Sequence, residues 1–532
     1  MMRFIALLSL LAVEFIGQCP CEGAGQRVEA RIVDDATGQP VAARVAITNA
    51  AGKFVEIQGT HSHVDYLGKR WCYVDGRFSV DVDDAQTRIE IRRGFETLPF
   101  EGPIGKTNSD SSSAKSPEVF RLHRWIDMRA KGWFNGDIHA HLPGPEEARL
   151  QMDAEDLNAQ TLLCLSDNEP SAPVNKAFTG RLDTHSTPGR EIFVAQEVQD
   201  FQMGHLTLLG ITNLVGGYPQ AGGGMEFWTN RPHWDMTRAL RDAKAQNATI
   251  FWSHIDSLPG EQLPIGLALG MVDGVELLTW IDPTQLPNHW EPWLNSGFSQ
   301  AEFPVMRSLD LYYTFLNAGF RVPIAAGTDK FYEEIPLGCN RTYVQDATNY
   351  ASWLAGVKAG RAFVCNGPIL DFEVDGLQPG GVAQFQGSKI VRARVTARSI
   401  LPFNTLDIVI NGKTVAHKSI AYLDPTNGLY TMEIETNAVL TQSAWLAARV
   451  VDNPDLRNPI LPRNTTVFAH TAPVYFLWNG QKIREQASIN YLTKYVEGVL
   501  HWLSTRPPFY NEEDRQRAQQ TAEEALAFYK RL

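Results

Sequence analysis

Between about Trp125 and Pro368 the chain alternates between two textures. Apolar runs of strand length (TLLCLSD, EIFVAQE, HLTLLG, TIFWSHID, VDGVELL, VPIAAGTD) are separated by stretches patterned as amphipathic helices, among them PEEARLQMDAEDLNAQ, WDMTRALRDAKAQNA and PVMRSLDLYYTFLNAG. A strand that is apolar at nearly every position needs cover on both faces, and intervening helices supply it. The pattern predicts an α/β fold with a mostly parallel sheet or barrel.

The boundaries of those runs carry the chemistry. TLLCLSD ends in Asp167, EIFVAQE in Glu197, TIFWSHID at His254 and VPIAAGTD in Asp329, and the HLTLLG run starts with His205. In β/α folds the C-terminal strand ends form the site face. Ahead of them, WFNGDIHAHLPG places His139 and His141 two positions apart, the spacing at which neighbours on a strand project to the same side. Gly144 and its flanking prolines end that strand at once. A single H-x-H pair arises by chance, but together with five polar strand boundaries it points to a metal centre. Imidazole with carboxylate suits Zn, Mn or Fe, whereas Ca or Mg prefers oxygen donors alone.

The flanks read differently. Residues 26–105 alternate apolar and polar positions between turn sequences, as in RVEARIVDDATGQPVAARVAITNAAGKFV, and predict a small β-sandwich. Residues 106–124, including KTNSDSSSAKSP, read as a linker. The alternation returns over 369–477 as a second β-sandwich, and 478–532 reads as a helical tail. In its last helix Ala518, Ala522, Ala525, Tyr529 and Leu532 share one face. Arg3 followed by FIALLSLLAVEFI predicts a signal peptide over 1–25 and hence a secreted or periplasmic protein, although Glu14 interrupts the apolar run. IGQC is a poor lipid-attachment sequence around Cys19. No later segment is apolar for long enough to span a bilayer. Net charge is −12 without any basic run, which excludes a nucleic-acid partner. Cys72, Cys164, Cys339 and Cys365 are widely spaced with no C-x-x-C, so they read as buried thiols or one disulfide.

GDIHAH, the acidic residue after the second strand, the E…GH pair, the SH strand end and AGTDK…NRTYV resemble the PHP superfamily (polymerase and histidinol phosphatase type), in its CehA/McbA, or carbaryl-hydrolase-like, branch. The resemblance covers the middle segment, 125–368. It implies a distorted (β/α)7 barrel whose metal ligands are His139, His141, Asp167, Glu197, His205, His254 and Asp329. ARIVDDATGQPVAARV is similar to the carboxypeptidase regulatory-like modules of secreted enzymes. The chain departs from the PHP pattern twice. Asn168 follows Asp167 where the family has His, and Phe331 stands two residues after Asp329 where the family commonly has His. Both losses argue for one or two divalent transition-metal ions rather than three.

Three carboxylates balance two dications and one hydroxide, and a metal lowers the pKa of bound water to about 7. The expectation is an exported metal-dependent hydrolase of ester, carbamate or phosphoester bonds, acting on a small-molecule or glycan-like substrate. Lys330 and Arg341 are candidates to hold an anionic group, and Glu146 or Glu276 to act as acid or base. The alternatives are a catalytically degenerate barrel that binds without turnover, or a carbohydrate-binding scaffold. His61, His63, His185, His233, His289 and His470 read as surface or loop residues.

Overall fold

A computed structural model describes residues 26–66, 68–82, 86–105, 116–165, 173–200, 202–216, 232–255, 260–279, 297, 307–331, 333–452 and 466–532. The signal-peptide segment, Asp167, Asn168 and His289 lie outside the described residues. The fold is mixed α/β and richer in strand than in helix.

Seven central strands position the site. They are β1 (Trp133–Asp137), β2 (Ala159–Cys164), β3 (Glu191–Asp200), β4 (Gly204–Leu209), β5 (Thr249–Trp252), β6 (Gly274–Leu278) and β7 (Ile324–Ala326), and they lie side by side in chain order. Pairing is parallel for β1–β2–β3 and for β5–β6–β7, but β4 runs antiparallel to both neighbours. The start of β4 therefore lies with the ends of the other strands, which is why His205 opens its run while its partners close theirs.

The sheet curls until β7 returns to β1. Ile138 N donates to Ala326 O and Asp329 N to His139 O, and Ala140 bridges Lys330. Phe134, Leu163, Ala195, Leu209, Phe251 and Ala325, from six of the seven strands, share one core cluster. Side chains from six neighbouring strands meet in this way only on the inside of a curled sheet. The helices Pro145–Ala154, Thr237–Lys244 and Ser308–Asn317 fall within the stretches patterned for them.

Two domain boundaries differ from the sequence reading. The segment 106–124 is not all linker, because Glu118–Leu122 is a strand paired in parallel with Gln26–Asp34. Its buried Phe120 and Leu122 join the N-terminal core, an apolar pair too short to register as a run. That N-terminal unit comprises a four-stranded and a five-stranded sheet around one core. The boundary at 368 is likewise crossed by hydrogen bonds. Beyond β1 the central sheet continues through Arg341–Gln345, Ala362–Cys365 and Phe468–Thr471 into the C-terminal strands.

The helices Gln486–Ser504 and Glu512–Tyr529 pack back on the body, burying Ala518, Ala522, Ala525 and Tyr529. The four described cysteines are buried free thiols. No described helix is long and apolar enough to cross a membrane. His470 is fully buried and not a surface residue, because its strand joins the central sheet to the C-terminal one.

Candidate metal centre

Strand β1 stops at Asp137, so His139 and His141 lie just beyond the strand and not on it. Asp137 explains the stop. Its Oδ1 accepts from His139 N and Thr328 N, and its Oδ2 from Gly338 N, stapling the H-x-H stretch to the loops after β7. Burial raises its pKa to about 6, against the pull of those N–H groups. Because Ala140 bridges Lys330, the stretch stays extended and both imidazoles leave it on one side.

Each imidazole is oriented from behind. His141 Nδ1 lies 3.0 Å from Leu163 O, a carbonyl that can only accept, so the proton sits on Nδ1. His139 Nδ1 faces the Glu276 carboxylate at 3.1 and 3.2 Å. Both Nε2 atoms are thereby turned inward, 3.0 Å apart. Orienting a ligand histidine through its other nitrogen is how proteins set up metal-binding imidazoles.

Glu197, fully buried on β3, divides its carboxylate between two groups. Its Oε2 lies 3.6 Å from His139 Nε2 and 3.2 Å from His141 Nε2. Asp329 Oδ1 lies 3.3 and 3.6 Å from the same two nitrogens. Tetrahedral bonds of about 2.0–2.1 Å set neighbouring donors about 3.3 Å apart. The measured edges fit one face of such a polyhedron, formed by His139, His141 and Glu197, with Asp329 Oδ1 beside both imidazoles. On the other side Glu197 Oε1 lies 3.2 Å from His205 Nδ1 and 3.3 Å from His254 Nε2, and those nitrogens are 3.1 Å apart. This is one face of a second such polyhedron, with three donors.

The field supports the same assignment. Burial opposes charge on His139, yet Glu276, Glu197 and Asp329 outweigh it and raise its pKa well above the imidazole norm. His254 is likewise raised to about 9, where Glu197 and Asp329 overcome burial. Glu197 is held well below the carboxylate norm because the surrounding histidines, His139 first, override its burial. At His205 burial prevails and lowers the pKa. A pocket that pulls protons onto buried imidazoles offers the same donors and field to a dication.

Two of the candidate ligands carry backbone strain. His254 and Asp329 adopt φ of 28° and 48°, conformations that cost non-glycine residues about 1–3 kcal/mol each. His254 N is held by Glu276 Oε2 at 2.7 Å and Asp329 N by His139 O at 2.8 Å. Gly327 makes the crossing possible, since a Cβ there would fall 1.8 Å from Glu276 Oε1 and 2.5 Å from His139 Cβ.

Six of the seven sequence-derived ligands thus converge, the seventh being Asp167. The candidate catalytic residues are placed otherwise. Glu146 is solvent-exposed on the first turn of Pro145–Ala154 and is not among the donors grouped at the centre. Arg341 is buried, with its guanidinium donating to Gly338 O and Glu155 O and lying over the Phe95 ring, so its fork serves the packing beneath the strand ends. Lys330 contributes its carbonyl, which accepts from His141 N and Leu142 N, while Nζ donates to Ile335 O and burial lowers its pKa to about 8. Glu276 orients His139 from behind. His233 is partly buried, 3.2 Å from Asp200, whereas His185 is exposed.

The reading of the residues passed over Asp137 as a positioning group. Its place in GDIHAH, directly before the ligand pair, was the available signal. Comparison with family models, curated proteins and solved structures finds no match for this chain.

Proposed function

We propose that the chain is an exported, metal-dependent hydrolase of ester, carbamate or phosphoester bonds, built on a PHP-like seven-stranded barrel between two β-sandwich units. One observation carries the reading: Glu197 presents one carboxylate oxygen to the His139/His141 pair and the other to the His205/His254 pair. The donors suit two divalent ions of the Zn, Mn or Fe type. When bound there, such ions supply Lewis acidity toward a scissile carbonyl or phosphoryl group and a nucleophile drawn from water.

The chain's own residues do the positioning. Glu276 and Leu163 O hold the imidazoles of His139 and His141 in the tautomer that directs Nε2 inward. Asp137 fixes the H-x-H stretch against the loops after β7. Asp329 adds a carboxylate beside the His139/His141/Glu197 group, and Glu197, His205 and His254 form the second group among the described residues.

The test is hydrolysis of nitrophenyl phosphate, naphthyl acetate and naphthyl methylcarbamate by Zn-, Mn- or Fe-loaded protein, by chelated protein and by the His139→Ala/His141→Ala double variant. Turnover of at least one substrate class, lost in both controls, is expected. Metal uptake without turnover across all three classes would favour a binding protein. Failure to retain any metal would remove the centre itself.

A further inference from the structure

We propose that Phe331 is a positioning residue for the His139/His141 half of the centre, closing that side with an apolar face so that exchange takes place at the His205/His254 side. The proposal rests on the metal-centre reading above. The Phe331 ring stacks on the His141 imidazole, with centroids 4.0 Å apart and planes at 22°. His141 is already held along one edge by Leu163 O. An imidazole held only at its edge can still rock about that hydrogen bond, and a stacked ring removes the motion. His205 and His254 meet edge to face instead, at 4.7 Å and 72°.

Phe331 is itself fixed by the strap that carries it. Lys330 O accepts from His141 N at 3.0 Å and from Leu142 N at 3.1 Å, tying the strap to the ligand stretch. Lys330 Nζ closes it by donating to Ile335 O at 2.6 Å. Further along, Glu333 Oε2 lies 3.4 Å from His63 Nε2 of the N-terminal unit. The ring is half-buried, one face on the imidazole. A phenyl ring offers no donor to a cation and repels water from the face it covers. The donors of this half are thus backed by an apolar cap, whereas among the described residues no ring stacks on His205 or His254.

The functional consequence is an asymmetry of affinity. The half backed by Phe331 and flanked by Asp329 would hold an ion more tightly, and the His205/His254 half would exchange. Outer groups that orient ligands typically change metal affinity by about 10–100-fold when removed.

The experiment is stepwise Zn binding to the full chain, read by competition with a chromophoric chelator and without any substrate. Wild type, Phe331→Ala and Phe331→Tyr are compared, and thermal unfolding of each apoprotein is recorded alongside. Phe331→Ala is expected to weaken the tighter step about ten-fold, leave the weaker step in place and be rescued by Phe331→Tyr, which restores the stacked ring. A role in general packing would lower the unfolding temperature and shift both steps together. The proposal is overturned if both steps shift together, if only the weaker step shifts, if neither shifts, or if Tyr fails to rescue. A wild-type protein that binds no Zn would remove the metal-centre reading as well, so the two failures are distinguishable.

Discussion

Glu276 stands behind His139, with its carboxylate oxygens 3.1 and 3.2 Å from Nδ1, while Nε2 of the same ring faces Glu197 and Asp329. The same carboxylate accepts from His254 N at 2.7 Å. One buried acid on β6 therefore orients a side chain in one half of the centre and the backbone of a ligand in the other. It also supports the left-handed conformation of His254, which has no glycine to relieve it.

Replacing Glu276 by Gln tests that arrangement. The amide keeps the shape but loses the charge that favours the Nδ1–H tautomer. Affinity for Zn should fall about 10–100-fold, the range for orienting groups around a metal. Chelator competition on the variant reads this directly. Affinity within a factor of two of wild type would mean that the tautomer is set by something else.

Glu197→Gln has a different signature. Glu197 is the one residue shared by both donor groups, through a different oxygen for each. An amide is a poor bridging ligand for such ions. The metal content of dialysed protein should drop from two ions per chain to one or none, as read by elemental analysis. Retention of two ions would show that the halves are held independently.

The ligands were legible because each sits at a change of texture, a His or carboxylate where an apolar run stops or starts. His139, His141, Glu197, His205, His254 and Asp329 all have that signature, and the antiparallel β4 accounts for the one that comes first in its run. What sequence spacing could not carry was the shell behind them. Glu276 lies within the buried run VDGVELL, and its role depends on how the sheet curls His139 across to meet it. Glu146 shows the limit of nearness in sequence. That nearness put it beside the H-x-H pair, but the helix that starts at Pro145 turns it to solvent. Arg341 and Lys330 follow Asp329 closely, yet backbone carbonyls claim their side chains. The continuity of the central sheet past Pro368 was invisible, because pairing between Ala362–Cys365 and Phe468–Thr471 spans a hundred residues of chain.

Asp156 is one of the points at which the N-terminal unit is fastened to the central part of the chain. It pairs with Arg93 at 2.8 Å, Arg124 at 2.7 Å and Arg190 at 2.5 Å. Although burial opposes its charge, Arg93, Arg190 and Arg124 hold its pKa well below the carboxylate norm. Asp156→Asn leaves three guanidinium groups around a neutral amide and should destabilise the fold by about 3–5 kcal/mol, the usual cost of breaking a buried ion pair. Urea unfolding at pH 7 measures it. A folded-state pKa below the unfolded one means that this stability is present above about pH 4 and is lost as pH falls through the folded value. The gap between wild type and variant should therefore close in strong acid, and a gap that widens there would contradict the assignment.

His470 supplies a second pH term, in a higher window. It is fully buried between Thr471 O, 2.7 Å from Nδ1, and the Tyr313 hydroxyl, 2.8 Å from Nε2. The carbonyl requires a proton on Nδ1. The hydroxyl accepts from Arg449 at 3.2 Å and so directs its own proton to Nε2. Both nitrogens are satisfied only in the neutral ring, and a second proton would face Arg449 through Tyr313. Burial pushes the pKa down to about 3 against the opposing Thr471 carbonyl, and Arg449 adds a smaller push downward. The unfolded chain titrates near 6.5 and so binds a proton that the folded state refuses. Stability from this site is thus complete above about pH 6.5 and falls as pH drops toward 3, by about 1.4 kcal/mol per unit within that window. His470→Asn, which cannot take up the proton, should be less stable than wild type at pH 7, with a gap that shrinks at about that slope between pH 6 and pH 4. Urea unfolding at pH 7, 6, 5 and 4 gives the gap at each point. A gap independent of pH would mean that His470 accepts its proton in place, and that the Tyr313–Arg449 chain does not hold the ring neutral.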